Sequence, residues 1–388
     1  MRAENKKLEK AAHIDVLTIV IVVVLLLFGL VALLNVLSDP FDGTETSFED
    51  FWNRLNTEFF ARQVGNIIIS IAVCVPITIL NYDLYKPFIR TIYIISVGLL
   101  LLLLIAGEST RGVLGWYKIG TMAFQPSEIC KVTLILSLSK FCADVVERKG
   151  KLSRFTDVMI AFLYFAILFV LVLLQGDLGT AIVYVMIFVA ILFAAKISWI
   201  YIAGGAVACG VSLPLIYTFL LDNAQKARIR VFLDPTLDLQ GDGLNVIRAK
   251  EIIGSGGFWG KGMFTQGTLS QSGYVPERHT DFIFSSIGEA LGFFGAILLV
   301  ALFFALLFRW LVVAKKAKDV YGRCLVVGCS AMLATHVFEN IGMNLGIMPV
   351  TGIPLPLISY GGSNLLATMI TVGIVLSVQY RSSSRRKL

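Results

Sequence analysis

Charged residues are scarce in this chain: Asp, Glu, Lys and Arg supply 15% of 388 residues, hydrophobic ones 57%, and the mean hydropathy is +0.81. A soluble domain needs about a quarter of its residues charged, so that class is excluded. Histidine is rarer still, with three copies, His13, His279 and His336, far apart in sequence. Such scatter argues against a zinc centre, whose ligands recur at close spacings. The six cysteines, Cys74, Cys130, Cys142, Cys209, Cys324 and Cys329, all lie within or at the ends of apolar runs. With no paired spacing in a polar loop they form neither a disulfide framework nor a metal site, and they read as small core residues. Internal repeats and low-complexity tracts are lacking too. No cleavable signal is expected, because the first apolar run, Ile14 to Val36, is too long for a signal-peptide core and is not followed by a small-residue cleavage site.

What is present is apolar sequence in blocks long enough to cross a hydrocarbon layer of about 30 Å, which takes about 20 helical residues. The expected spans cover roughly 14–36, 64–82, 88–106, 124–142, 158–174, 178–195, 197–221, 285–308, 323–345 and 361–380. The fold class expected is therefore an all-α polytopic integral membrane protein of about ten transmembrane helices, a single transmembrane domain over residues 1–388. The formal charge of +7 does not point to nucleic acid, since the basic residues fall between spans. They crowd into alternate connections, among them the N-terminal tail, Lys86 and Arg90, Arg148 to Arg154, Arg309 to Arg323 and the C-terminal tail. By the positive-inside rule both termini are cytoplasmic. The first outer loop, Ser38 to Phe60, is acidic instead.

The one long connection, residues 222–284 between spans seven and eight, is then extracytoplasmic. Loops of this length inside a compact protein tend to be functional. Ala227 to Leu233 and Leu244 to Ile253 carry apolar residues at helical spacing with basic ones interleaved, the pattern of helices lying in the membrane interface. Gly254-Ser255-Gly256-Gly257 and Gly260-Lys261-Gly262 follow, where backbone N–H groups can approach an anion, although a glycine-rich loop alone is weak evidence for phosphate binding. The loop closes on Tyr274-Val275-Pro276-Glu277-Arg278-His279-Thr280-Asp281-Phe282-Ile283-Phe284, directly before an apolar helix. An acid at that position is costly against lipid and belongs in a bundle interior or wet cavity. Asp281 is thus either a reactive carboxylate or a helix-capping acid.

Further polar residues mark the spans. Gln125-Pro126-Ser127-Glu128 opens the fourth, and Lys131 lies at i+3 from Glu128, where the two can pair either structurally or in a site. Gln175-Gly176-Asp177-Leu178-Gly179-Thr180 is an outer hairpin that brings Asp177 to the same membrane face as Asp281, as a site residue or as the cap of the next helix. His336, Glu339, Asn340 and Asn344 share a face of the ninth span, where they tie helices together by hydrogen bonds. Met348 to Gly362, with three prolines and three glycines, reads as a rigid re-entrant piece, tolerable at membrane depth only where it lines a cavity or is buried in protein.

Four of these stretches carry a resemblance: Gln125-Pro126-Ser127-Glu128 with Lys131; Gly176-Asp177-Leu178-Gly179-Thr180; Gly254 to Asp281; and Asn340 to Gly362 with its Pro-Leu-Pro-Leu-Ile-Ser-Tyr-Gly-Gly run. Together they resemble the SEDS family (shape, elongation, division and sporulation), and the Pro-Glu-Arg-His-Thr-Asp form is closer to its elongation branch. Arg248, Ala290, Asn364 and Gly176 depart from the family pattern. The resemblance implies a peptidoglycan glycosyltransferase that polymerises lipid II at the outer face of the bacterial cytoplasmic membrane during elongation. Asp281 would be the general base and undecaprenyl pyrophosphate the leaving group. Arg228, Arg230 and Lys261 would neutralise that pyrophosphate, with a divalent cation (Mg or Mn) left open. Glu128 and Lys131 would shape the cavity, Asp177 would orient substrate or loop, and Glu277, Arg278, His279 and Thr280 would border the substrate. A class B penicillin-binding protein, supplying the transpeptidase, is the implied partner. A lipid II transporter is the competing class; charge gathered on one face and the lack of an inverted repeat favour the enzyme.

Overall fold

The computed structural model describes residues 15–38, 57–110, 113–119, 122–221, 223–265, 267–270 and 274–383. The N-terminal basic tail, the last five residues of the C-terminal one and most of the acidic first loop, including Trp52, lie outside the described residues.

Helix α1 (Val16–Leu37) starts at Asp15, whose carboxylate accepts from the Thr18 N–H and also from Arg309 Nε at 2.8 Å. Helix α2 (Thr57–Ile79) leads through a short 3-10 turn (Tyr82–Phe88) into α3 (Ile89–Ala106). Next come α4 (Pro126–Lys149), α5 (Phe155–Leu174), α6 (Leu178–Ala194) and α7 (Trp199–Leu215). The long outer connection forms α8 (Asn223–Leu233) and α9 (Asp242–Ser255), where helical spacing predicted them. The chain ends with α10 (Ile283–Lys315), α11 (Val320–Leu345) and α12 (Gly362–Ser383).

Among the described residues seven helical stretches are long and apolar enough to cross a membrane. The other three expected spans are helical as well, but differ from an ordinary apolar span. Helix α4 carries Glu128, Lys131 and Lys140 in its body, while α6 and α7 each run for 17 residues. Charge can enter α4 because it is packed inside protein. Seventeen of its residues are buried, whereas α2 buries three and leaves most of its surface outside the protein core. α11 and α12 are buried over 72% and 78% of their most apolar stretches, so α4, α11 and α12 belong to the protein-filled centre.

Two features were not anticipated. The connection between α3 and α4 forms a three-stranded antiparallel sheet, β1 (Glu108–Thr110), β2 (Val113–Ile119) and β3 (Met122–Phe124), in the order β1-β2-β3. Its Leu114 N–H donates to the Gln175 carbonyl at 2.9 Å, so the sheet braces the hairpin that carries Asp177. The second is a break in α10 at Gly292, where φ is 64° and ψ is −164°. The loop after α9 fills the break: Lys261 and Gly262 donate to the carbonyls of Glu289 and Ala290, and Phe293 donates to Gly257. Only glycine allows this approach, since a Cβ on Gly292 would overlap the Gly260 nitrogen.

The re-entrant segment between α11 and α12 presses on α1 at Gly29, where an added Cβ would lie 2.7 Å from Ile358 Cα and 2.8 Å from the Leu357 carbonyl oxygen. Backbone cannot give way as a flexible side chain does. Gly29→Val should therefore destabilise the protein by at least about 1–3 kcal/mol, read as a lowered melting temperature in detergent. Gly65→Val, at a position with nothing within 4 Å, should shift it far less.

Candidate active site

The site is built on the segment Glu277–Phe282, whose backbone turns back on itself: the N–H groups of Asp281 and Phe282 both donate to the Glu277 carbonyl at 3.1 Å. That fold leaves the Asp281 carbonyl unused by helix or sheet, and α11 takes it. Asn340 Nδ2 and Asn344 Nδ2 each donate to it at 2.9 Å. The same Asn340 amide donates to the Ile353 carbonyl at 2.8 Å, so one side chain grips both the Asp281 segment and the re-entrant piece. Two further bonds close the seam: Ser359 Oγ donates to the Thr280 carbonyl at 2.6 Å, and the Tyr360 N–H to the His279 carbonyl at 3.0 Å. Asp281 is 7% exposed. Its Oδ2 would lie 3.7 Å from a Cβ built on Gly352, so a small residue keeps the approach to that carboxylate narrow but open.

The other predicted residues are drawn in through the start of α12. Gln125 donates its backbone N–H to Ser363 Oγ at 3.0 Å and its side-chain amide to Asp177 Oδ2 at 3.3 Å. Asp177 Oδ1 also caps α6 through the Thr180 N–H at 2.9 Å, the capping arrangement the sequence allows. One residue on, Asn364 Nδ2 donates to Glu128 Oε2 at 3.1 Å, while Lys131 Nζ donates to Glu128 Oε1 at 2.7 Å and contacts His336 Nε2 at 2.8 Å. The Lys131 side chain is fully buried and that of Glu128 is 3% exposed. This is a closed polar network in the bundle centre, joined by the re-entrant segment to the outer carboxylate. Glu339, on the same face of α11, has no hydrogen-bond partner for either carboxylate oxygen among the described residues.

The cations of the long loop divide. Lys261 Nζ donates to Glu289 Oε1 at 2.8 Å, turned toward α10. Glu289 was not singled out in the sequence, yet it is fully buried and accepts from four groups: Lys261, Ser255 Oγ and the N–H groups of Leu269 and Ser270. An acid two turns into a span was a readable signal. Arg228 lies 3.7 Å from Asp242 and lines a cleft with Val246, Met348, Pro349 and Val350, whereas Arg230 is exposed beside it on α8. Arg278 is half-buried, and that loss of water lowers its pKa from the ordinary arginine value. A partly desolvated guanidinium attracts an anion more strongly than one in bulk water. Thr280 Oγ1 donates to Glu277 Oε2 at 3.0 Å and so holds that carboxylate within the same turn.

Residues 15–384 match the model of the FtsW/RodA/SpoVE family, described as a cell cycle protein. The chain is 37% identical over 317 residues to the peptidoglycan glycosyltransferase MrdB of Escherichia coli K12, covering 82% of this chain and 84% of that one. It is 32% identical over 377 residues to a probable peptidoglycan glycosyltransferase FtsW of Trichlorobacter lovleyi, with 95% and 94% covered. Among solved structures it is similar to the rod shape determining protein RodA of Thermus thermophilus, at a TM-score of 0.67, 25% identity and coverage of 95% and 97%. A second similarity is to a chain from a peptidoglycan synthase complex that coordinates polymerization and crosslinking, at a TM-score of 0.78, 27% identity and coverage of 95% and 98%.

The buried pair makes a stability prediction. Lys131→Met strips Glu128 of its cation in the bundle centre, and breaking such a pair costs about 3–5 kcal/mol. Adding Glu128→Gln to that variant should recover most of the lost melting temperature, because no buried charge then remains uncompensated. Equal melting points for the single and double variants would contradict it.

Proposed function

The chain belongs to the FtsW/RodA/SpoVE family, here in its RodA-like form, and is a multi-pass membrane peptidoglycan glycosyltransferase, and on that premise we propose that Asp281 is the general base of lipid II polymerisation. The observation that carries this is the double amide clamp on its main-chain carbonyl, which fixes the segment bearing this carboxylate at one end of the bundle. Extending a glycan requires a sugar hydroxyl to attack an anomeric carbon. Asp281 accepts the hydroxyl proton, the oxygen forms the new bond to the anomeric carbon, and the bond to undecaprenyl pyrophosphate breaks with its electron pair leaving on phosphate. Attack from the face opposite the leaving group inverts the anomeric centre.

The pyrophosphate is met by Arg228 and Arg230 on α8 and by Arg278 beside the base. Lys261 acts through Glu289, holding the loop that presents them. A divalent cation would arrive with the pyrophosphate. Among the described residues no group of three or more His, Cys, Asp and Glu side chains forms a metal cage, and Mg²⁺ in particular is commonly held by one or two carboxylates plus substrate phosphates. Glu277 would supply such a carboxylate, leaving Asp281 as the proton acceptor, and the ion would offset the leaving group's charge. Glu128 and Lys131 shape the cavity below, and Asp177 orients the hairpin at its lip.

The bulk of the basic residues in alternate connections supports placing both termini in the cytoplasm and the site on the outer face of the bacterial cytoplasmic membrane. The likeness to a chain of a complex that both polymerises and crosslinks supports a partner carrying the transpeptidase, a class B penicillin-binding protein.

Asp281→Asn removes the proton acceptor at nearly constant shape. Purified protein with its transpeptidase partner blocked by a β-lactam should lose about 10²–10⁴-fold in lipid II polymerisation rate, while the melting temperature stays within a few degrees of wild type. Polymer made at a near-normal rate would remove Asp281 from this role. Lipid II crossing a vesicle bilayer with no polymer from either protein would favour transport.

A further inference from the structure

We propose that Arg248 is a positioning residue for Asp281: from α9 it grips Tyr274, where the chain enters the Asp281 turn, and so sets where that turn stands. The far side of the turn is held by α11, through the two amides on the Asp281 carbonyl. Arg248 holds the near side. Its Nη1 donates to the Tyr274 carbonyl at 2.7 Å, and its guanidinium lies 4.4 Å from the centroid of the Tyr274 ring. The hydroxyl of the same ring donates to Glu251 Oε2 at 3.0 Å. Residues 248 and 251 are neighbours on one face of α9, so that face takes Tyr274 by its main chain, its ring and its hydroxyl.

Apolar packing carries the grip into the turn. Val275 and Phe282, which flank residues 276–281, are both buried in a small core with Ala249 and Ile252 of α9. Two other helices locate α9 itself. Ser255 Oγ at its end donates to Glu289 of α10 at 3.0 Å. Val246 and Lys250 cover Gly346, the left-handed residue that closes α11 at φ 69°, so closely that a Cβ there would overlap the Lys250 side chain. Arg248 therefore ties the entry of the turn to the same frame that clamps its exit.

One atom separates placement from simple stabilisation. Arg248 Nε is buried and has no hydrogen-bond partner among the described residues. A buried donor without an acceptor opposes folding, and a group kept at that cost calls for a role beyond holding the protein together. A guanidinium stacks on a ring and donates from its plane at once, which an ammonium cannot do. Arg248 acts through Tyr274 and the turn and exchanges no proton with substrate, so its effect falls on kcat and leaves KM nearly alone. The inference rests on Asp281 being the base.

The test is lipid II polymerisation by the full-length protein with its blocked transpeptidase partner, as initial rate against lipid II concentration. Arg248→Ala should lower kcat about 10- to 100-fold, with KM within about 2-fold of wild type and the melting temperature within a few degrees. Arg248→Lys, which keeps the charge and loses the planar fork, should stay impaired. Tyr274→Leu should lower kcat as well, and Tyr274→Phe, which keeps the stacked ring, should recover most of that loss. Should Arg248→Ala fail to fold, as judged by its melting temperature, Tyr274→Leu against Tyr274→Phe carries the same comparison. An unchanged kcat at Arg248→Ala, a raised KM in place of a lowered kcat, or full rate at Arg248→Lys overturns the proposal; the last two would make Arg248 a cation for the substrate. The two readings fail separately. Asp281→Asn at full rate withdraws the base and this inference with it, whereas an inactive Asp281→Asn with an unmoved kcat at Arg248→Ala removes only the positioning role.

Discussion

The main-chain carbonyl of Asp281 takes two side-chain amides, from Asn340 and Asn344, and the outer end of the bundle depends on that clamp. Non-helical backbone at membrane depth must find every hydrogen bond inside the protein. The segment before α10 is such backbone, and so is the re-entrant piece after α11. One face of α11 satisfies both: the Asn340 amide bonds Asp281 and Ile353 together, and Asn344 adds a second donor to Asp281 while its oxygen accepts from the Ser285 N–H at 3.1 Å. Because the clamp acts through backbone, it fixes the segment that carries the carboxylate.

A second constraint lies deeper. Glu128 and Lys131 are taken out of water in the centre of the bundle, where desolvation opposes a bare ion pair and neighbouring hydrogen bonds decide whether it persists. Here Asn364 holds the second carboxylate oxygen and His336 meets the ammonium, so three helices, α4, α11 and α12, are joined by one polar knot. Asn364 is one of the positions at which this chain departs from the family pattern. It faces His336 as well, at 3.4 Å, so the departure falls at a contact between helices and away from the reacting face.

Hydropathy made most of the helices legible, because blocks of about 20 apolar residues bounded by charge admit few other readings. The two outer helices were legible from apolar residues at helical spacing among Arg228, Arg230, Arg248 and Lys250. Within the site, Glu128 with Lys131 could be paired from their spacing of three, whereas the contact between Lys131 and His336 spans 205 residues and leaves no local trace. Gly292 was illegible for a different reason: a glycine within an apolar run reads as a tolerated helix residue, and only the approach of Gly260 shows why it is needed. The sheet between α3 and α4 was hidden because it is short and flanked by strong span signals. Lys261, which the resemblance implies as a cation for the pyrophosphate, donates to Glu289, an acid that leaves little signal because it lies inside an apolar block.

The break at Gly292 and the clamp at Asp281 act on the same helix from opposite sides. Asp281 lies just before the start of α10 and Glu289 about two turns into it. The outer loop is fixed at the lower point: Glu289 gathers Ser255, Lys261, Leu269 and Ser270, and the strand-like pairing of residues 257–262 takes up the hydrogen bonds that the kink releases. α11 fixes the upper point through Asn340 and Asn344. A proton acceptor contributes to rate only when held within reach of the attacking hydroxyl, and a displacement of about 1 Å can cost 10²-fold. A loop of more than sixty residues would be a poor support for that task if it were anchored only at its ends. Stapled to α10 through Glu289, it becomes part of the same body as the segment that carries Asp281, which is how a long connection can keep α8 and α9 in a fixed place.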